Sequence, residues 1–309
     1  MPERDHTAAP SGRQYEIVHG EQRAVIVEVG GGLRRYTVGG ADRLDGYGLE
    51  EMCTGGRGQP LVPWPNRVRD GRYEFDGRAQ QLALTEPEAA NAIHGLVRWA
   101  NWHVTAHEEH RVVVGYRLHP QPGWPGLLDL RIEYALGPGG LSVTTVATNA
   151  GAAACPYGAG FHPYLTLGTD TIDKLILAAP GAGYLESDAR GIPTAVRPAA
   201  GTPWDYCAPR PIGGARLDTG YTDLRRDSDG LARVRLATAD GQRAVTLWMD
   251  GAYGYLMLFT GDTLATAAQR RGLAAEPMTC APNALASGDG LVRLEPGQSH
   301  RAVWGLQPG

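Results

Sequence analysis

The feature that most constrains this chain is a series of short segment pairs, each pair joined by a tight turn. Within the segments apolar and polar residues alternate, so successive side chains would face opposite sides of a strand. Asp240-Gly241 and the Gly-Pro-Gly-Gly run at 137–140 are typical hairpin turns. The pairs cover residues 23–40, 71–84, 102–119, 127–151 and 232–250. Because hairpins follow one another without intervening helices, the pattern predicts one large antiparallel β-sandwich, an all-β fold with few short helices.

Helical periodicity is almost absent from the sequence. The best candidate for a short helix is the alanine-rich segment 263–275. No repeat of fixed period and no change in composition marks a second domain. We therefore expect a flexible N-terminal tail at 1–14 and a single β-sandwich domain at 15–309.

The charge of the chain favours a small-molecule partner. The formal net charge is -4 over 309 residues, which gives no broad electrostatic reason to expect a nucleic acid or an anionic membrane as partner. The N-terminus has no apolar signal-peptide core, and no run of 18 apolar residues is present. We expect a cytoplasmic protein, either a monomer or a homodimer.

Two patterns that resemble metal or phosphate sites have structural explanations. His103, His107 and His110 fall on a predicted hairpin, where a spacing of four does not bring side chains together as it would on a helix. The glycine run at 29–33 lacks both the spacing and the following helix of a phosphate-binding loop. The four cysteines are scattered without metal-ligand spacing, which favours free thiols. The sequence predicts no metal site.

The segment "GAGFHPYLTLG" at 158–168 places a histidine before a proline. In an extended chain Phe161, Leu165 and Leu167 would point to the core, while His162 and Tyr164 would point to a wet or ligand-facing surface. Proline restricts the residue before it to extended conformations, so the backbone of His162 is held. This favours a positioned acid or base, although an ordinary strand end has the same pattern.

Near the C-terminus a carboxylate residue also directly precedes a proline. Glu276 precedes Pro277 within a run of small and apolar residues. Partial desolvation there would raise the pKa of the carboxyl group and make it a better base near neutral pH. A solvent-facing glutamate at a loop edge is the structural alternative.

Three further stretches combine polar side chains with a constrained backbone. Prolines stiffen 60–71 before Asn66-Arg67, a donor and acceptor combination suited to adjacent hydroxyls, and Trp64 could stack on a sugar. His94 precedes a glycine, and Asp218 lies in a glycine-containing loop. Taken alone, these residues also fit surface, turn-capping or structural roles.

In this order, the five stretches resemble the aldose 1-epimerase (galactose mutarotase) family from about Tyr15 onward. The resemblance implies a β-sandwich with an open sugar-binding face, a sugar substrate and no cofactor. It also implies Glu276 as the catalytic base and His162 as the catalytic acid. Asn66, Arg67, His94 and Asp218 would hold the sugar hydroxyls.

The chain departs from the common family pattern at Leu96 and Pro163, where many members have glycine and serine. These differences resemble a divergent branch that acts on varied sugars, so the substrate stays open. A 1-epimerase for hexose 6-phosphates or other acidic sugars would need extra cations, for which Arg57, Arg69, Arg72 and Arg98 are candidates. A non-catalytic sugar-binding protein is a third possibility, against which the presence of both His162 and Glu276 argues.

Overall fold

The computed structural model describes residues 9–309, and nearly all of its regular structure is β-strand. In chain order the strands are β1 (Gln14–His19), β2 (Gln22–Val27), β3 (Leu33–Val38), β4 (Ala41–Asp42), β5 (Pro60–Leu61), β6 (Arg67–Arg69), β7 (Arg72–Phe75), β8 (Arg78–Gln81), β9 (Asn91–Ile93), β10 (His103–Glu108), β11 (Arg111–Leu118), β12 (Leu128–Gly137), β13 (Gly140–Asn149), β14 (Cys155–Tyr157), β15 (Gly160–Phe161), β16 (Tyr164–Leu165), β17 (Ile176–Ala178), β18 (Gly181–Ser187), β19 (Pro193–Pro198), β20 (Arg210–Pro211), β21 (Asp218–Leu224), β22 (Ala232–Ala237), β23 (Ala244–Met249), β24 (Tyr255–Phe259), β25 (Leu273–Met278), β26 (Val292–Leu294) and β27 (Ser299–Pro308).

The helices are few and short. Two single-turn 3₁₀ helices span Pro87–Ala89 and Thr266–Ala268, and one α-helix, α1, spans Ala284–Ser287. None of the helices in residues 9–309 has the length and apolarity that crossing a bilayer requires.

Two large antiparallel sheets form the sandwich. One has nine strands in the order β10, β11, β12, β13, β27, β23, β22, β17, β20. The other has eight: β19, β18, β21, β24, β25, β15 and β5 in order, with β16 also paired to β25. Their inner faces meet in one core, where Phe161 of the second sheet packs on Trp304 of the first with ring centroids 5.1 Å apart. The predicted all-β sandwich is confirmed.

The predicted hairpins are confirmed as antiparallel pairs. β2 pairs with β3, β7 with β8, β10 with β11, β12 with β13, and β22 with β23. In each pair the alternation of apolar residues and the turn residues favour the same register, so neighbouring residues determine the pairing. His103, His107 and His110 lie exposed along the β10–β11 hairpin, and all four cysteines are free.

The helix expected at 263–275 is wrong. Only Thr266–Ala268 is helical, and Leu273–Met278 is the fully buried strand β25. Its alanines favour a helix in isolation, but pairing with β24 on one side and β15 and β16 on the other determines the strand.

The predicted N-terminal tail lies partly outside the described residues, which begin at position 9. Residues 9–13 are in contact with the rest of the molecule: Ser11 is buried and its carbonyl accepts a hydrogen bond from the Val29 N–H at 3.0 Å. The single-domain division stays a prediction.

Candidate active site

A reciprocal contact between two chain segments forms the first corner of the site. β6 pairs with β9, so Asn66 and His94 lie next to each other just beyond that pairing. The His94 N–H donates to the Asn66 carbonyl at 2.9 Å, and the Asn66 N–H donates to His94 Nδ1 at 3.2 Å. Both residues have left-handed backbones, with φ of 56° and 62°. Gly95 continues this turn at φ 71°, where a Cβ would lie 2.1 Å from the Val62 carbonyl oxygen, so only glycine fits.

His94 is held in one protonation state by this contact. Because Nδ1 accepts a hydrogen bond, it carries no proton, and a neutral ring then carries its proton on Nε2. Burial holds the pKa of His94 well below its usual value. The charges of His162, Arg98 and Arg67 lower it further. His94 therefore offers a fixed N–H donor.

His162 lies where β15 ends and β16 begins, and both strands pair with β25. Its ring stacks on that of Tyr164 (centroids 4.9 Å apart, planes at 15°) and meets the edge of His94 (5.4 Å, 75°). Gly56 covers a further side, because a Cβ there would lie 3.0 Å from His162 Cδ2. Alternation predicts that Phe161, Leu165 and Leu167 point to the core. This is confirmed, because all three belong to it.

The face predicted to be wet or ligand-facing is buried in the structure. His162 is 5% exposed, and Tyr164 is 2% exposed. The rings of His94 and Tyr164 and the glycine loop cover the imidazole. The polar face is therefore buried among protein groups.

Glu276 lies on β25 and faces His162. Its neighbours Leu273 and Ala275 belong to the core, so alternation directs Glu276 to the opposite face of the sheet. Its Oε1 is 3.3 Å from His162 Nε2, while Oε2 is buried without a hydrogen-bond partner in residues 9–309. Glu276 is 2% exposed, so the prediction of a desolvated carboxyl group agrees with its position.

Burial moves the pKa values of this pair in opposite directions. It raises the pKa of Glu276 well above its usual range, and the negative charge of Asp218 adds to the effect, which the Arg67 charge opposes. Burial lowers the pKa of His162 to about 3, and the charges of Arg98 and Arg57 contribute. Both shifts disfavour the charged forms, so the surroundings favour a protonated carboxyl group beside a neutral imidazole.

Arg67 and Asp218 lie at the outer side of Glu276. Arg67 Nη1 is 3.6 Å from Asp218 Oδ2, and Arg67 Nε and Nη2 donate to the carboxylate of Glu86 at 3.0–3.2 Å. Asp218 begins β21, and half of its side chain is exposed. An open cleft of about 800 Å³ begins at these residues and extends to Tyr184 and Trp204. Arg67 and Asp218 thus line an open cleft next to the buried pair.

The structure thus brings the six predicted residues into one region. His94, His162 and Glu276 form its buried centre, Asn66 holds His94, and Arg67 and Asp218 form the outer edge. A larger cleft of about 1020 Å³, lined by Asp45 and Arg271, contains none of the six.

Trp64 does not join the site. It is 2% exposed and packs in a small second core with Val68, Tyr73, Leu82, Ala92 and Leu285. The suggested stacking of Trp64 on a sugar is therefore wrong, because three prolines and the β6 strand direct this ring inward.

The buried centre has donor atoms that metals use. One atom each of His94, His162 and Glu276 lies within 4.8 Å of the others. A metal-binding histidine, however, normally donates its second ring N–H to an acceptor, whereas His94 Nδ1 accepts a hydrogen bond from a backbone N–H. Binding through Nε2 would require His94 to lose the proton that this contact places there. The donor set fits proton transfer better than metal binding.

Sequence reasoning missed two supports of the site. The glycine-rich loop at 55–58 wraps His162 and Tyr164, and it carries Arg57, whose guanidinium lies 4.8 Å from the centre of the Tyr164 ring. Glu86 orients Arg67. A signal for Glu86 existed, because it too precedes a proline. The loop gave no signal of its own, since its glycines resemble ordinary turns.

Comparison with known proteins gives concordant matches. The family model described as aldose 1-epimerase matches residues 13–307. The uncharacterized protein YihR of Escherichia coli K12 is 31% identical over 297 residues, covering 96% of this chain and 93% of that protein. A GalM/aldose epimerase homologue from C. elegans superposes with a TM-score of 0.84 at 18% identity, covering 96% and 98% of the two chains. Galactose 1-epimerase from Lactobacillus acidophilus gives 0.77 at 18% identity, with 94% and 93% covered.

Proposed function

Because the chain belongs to the aldose 1-epimerase family, we propose that it interconverts the α and β anomers of an aldohexose. The observation that carries this proposal is the buried pair of His162 Nε2 and Glu276 Oε1, which lie 3.3 Å apart. An acid and a base with separated pKa values are what ring opening and closure require.

In the proposed reaction Glu276 removes the proton of the anomeric hydroxyl while His162 donates a proton to the ring oxygen. The bond between carbon 1 and the ring oxygen breaks, its electron pair stays on that oxygen, and the anomeric oxygen forms a carbonyl. Rotation about the bond between carbons 1 and 2 presents the other carbonyl face. In the reverse steps Glu276 gives its proton to the carbonyl oxygen, and His162 takes a proton from the hydroxyl that closes the ring. Both groups then have their starting protonation.

The pair begins this cycle with its proton on the carboxyl group, because burial favours the neutral forms. His162 becomes the donor when the proton passes from Oε1 to Nε2 across the 3.3 Å contact. Hydroxyls of a bound sugar favour this transfer, since they can donate hydrogen bonds to the carboxylate, whose Oε2 has no partner among residues 9–309. One proton therefore serves the whole reaction.

The surrounding polar groups would hold the sugar. His94 presents its Nε2–H as a donor, and Arg67 and Asp218 present a donor and an acceptor on the outer side. Asn66 fixes His94 through its backbone N–H and is itself buried beside the pocket. Opposed donors and acceptors suit a ring with several hydroxyls. We propose that no metal or organic cofactor takes part.

The test is anomer exchange measured by NMR magnetisation transfer, with glucose, galactose and related aldoses. We expect the wild-type protein to exchange at least one aldose faster than the spontaneous reaction, and the Glu276→Gln variant to lose this rate. Sugar binding without accelerated exchange would overturn the proposal and identify a sugar-binding protein.

A further inference from the structure

The turn between β18 and β19, residues 188–192, lies against the side chain of Arg67. It forms part of the wall of the cleft that Arg67 and Asp218 line. Gly191 in this turn has φ 73°, a conformation that glycine adopts readily. A Cβ at position 191 would lie 2.5 Å from Arg67 Nη1 and 3.1 Å from Arg67 Cδ. The guanidinium therefore occupies the space that a side chain at 191 would need.

The guanidinium of Arg67 is held on its other side by Glu86. Two of its nitrogens, Nε and Nη2, donate to the Glu86 carboxylate at 3.0–3.2 Å. The third nitrogen, Nη1, is the one that meets Gly191, and it lies 3.6 Å from Asp218 Oδ2. Gly191 thus limits the position of the one guanidinium nitrogen that Glu86 does not bind.

The turn is itself fixed to the segment that carries Glu86. Arg190 donates from Nη2 to the Ala90 carbonyl at 2.7 Å and from Nε to the Ala89 carbonyl at 2.8 Å. Its own carbonyl accepts a hydrogen bond from Asn91 Nδ2 at 3.0 Å. The same Asn91 amide, which is fully buried, donates to Glu86 Oε2 at 2.9 Å. The turn and the carboxylate that orients Arg67 are therefore held together as one unit.

An added methyl group at position 191 would act on Arg67 first. The backbone of the turn is fixed by Arg190, whereas the end of an arginine side chain can move by rotation about its own bonds. Displacing Nη1 changes its distance to Asp218, and a larger movement breaks the contacts with Glu86. In either case the donor leaves the place from which it faces the cleft.

We propose that Gly191 is a positioning residue for sugar binding, because its missing side chain lets Arg67 lie between Glu86 and Asp218 at the edge of the cleft. The inference rests on the proposed function, in which Arg67 donates to an oxygen of the bound sugar. Gly191 has no side chain to offer the sugar, so its effect passes through the guanidinium.

The test measures kcat and KM for anomer exchange, with glucose and galactose as probes, in the wild type, Gly191→Ala and Gly201→Ala. Gly201 is the matched control, because it has the same φ of 73° and a Cβ there would meet nothing within 4 Å. We expect Gly191→Ala to raise KM by about 10-fold or more, as the loss of a hydrogen bond to a charged group does. The kcat should stay nearly unchanged, since this contact holds the sugar in the ground state and the transition state alike. Gly201→Ala should keep both constants.

A double-mutant cycle with Arg67→Ala shows whether Gly191 acts through Arg67. Arg67→Ala removes Nη1 and Cδ, so a Cβ at position 191 then has room. We expect Gly191→Ala to cause no further rise in KM in the Arg67→Ala background. An equal rise in both backgrounds would overturn the positioning role.

Thermal unfolding and circular dichroism check the two alanine variants, whose Tm should fall by similar amounts because the backbone strain is the same. If Gly191→Ala does not fold, Gly191→Asn places a Cβ at the same point in a residue that tolerates positive φ, with Gly201→Asn as its control.

Two further outcomes separate the inference from the proposed function. If Gly191→Ala raises KM no more than Gly201→Ala does, the positioning role is wrong and the proposed function stands. If the wild type exchanges neither sugar faster than Glu276→Gln, the proposed function fails and the inference fails with it.

Discussion

Two buried carboxyl groups, those of Asp45 and Glu276, have different surroundings. Asp45 is 7% exposed and forms ion pairs with Arg57 and Arg271, both at 3.2 Å. Glu276 is 2% exposed and has no arginine within 4.0 Å in the described part of the chain. Asp45 therefore has two cations beside it, whereas burial raises the pKa of Glu276.

The difference shows that burial alone does not make a catalytic carboxyl group. A buried anion with cations beside it is part of the framework, and removing it leaves those cations unpaired. A buried carboxyl group facing only a neutral imidazole has a raised pKa and can exchange a proton near neutral pH. The first supports the second here, because Arg57 lies over Tyr164, and Tyr164 stacks on His162.

Replacing Glu276 by glutamine gives the largest expected effect. Loss of the proton acceptor should lower the rate of anomer exchange by about 10²- to 10⁴-fold. Stability should stay equal or rise: the folded-state pKa of Glu276 is raised, so its ionisation on unfolding favours the unfolded chain at neutral pH. NMR exchange and thermal unfolding measure the two effects. Unchanged exchange would show that Glu276 is not the base.

Replacing His162 by asparagine should lower exchange by at least about 10²-fold, since the donor to the ring oxygen is lost. The same NMR assay measures it, with circular dichroism to show that the variant folds. A near-normal rate would mean that His162 only binds or packs.

Replacing Asp45 by asparagine should act on stability. It leaves Arg57 buried without its partner, which costs about 3–5 kcal/mol of the free energy of unfolding. Asp42→Asn is the matched control, because it breaks an exposed pair with Arg35 and should cost at most about 1 kcal/mol. Urea unfolding measures both. Equal losses in the two variants would remove the distinction between Asp45 and a surface carboxylate.

The smallest expected effect is that of pH on exchange of a neutral sugar. The proposed reaction requires one titratable proton on the pair formed by His162 and Glu276. The pair gains a second as pH falls to the His162 pKa of about 3 and loses the first only above the raised pKa of Glu276. The limb of kcat/KM that reports protonation of His162 should therefore lie near pH 3 and not at the usual histidine pKa of about 6.5. A limb centred near the usual histidine pKa would contradict a desolvated His162.

Most of the fold was predictable from sequence because hairpins depend on neighbouring residues. The facing direction of His162 was predictable for the same reason, since alternation is local. Proline was a weaker signal than it seemed: His119 also precedes a proline, yet it lies exposed on the surface. Only pairing with distant strands distinguishes it from His162 and Glu276.

Contacts between distant segments could not be predicted. Nothing local indicates that Asn66 donates to His94, or that Arg57 binds Asp45. The strand that carries Glu276 was itself assigned in part to a helix, because its alanines favour one until the sheet pairs with them. Resemblance to a family identified the residues; the structure supplied their partners.

The central position of β25 in its sheet affects how often this strand opens. Its backbone is bonded to β24 on one side and to β15 and β16 on the other, whereas β6, which carries Arg67, pairs only with the three-residue β9. Hydrogen exchange should therefore be slow in β25 and faster around Arg67. In the proposed reaction, opening around Arg67 would let product leave while Glu276 keeps its position for the next sugar.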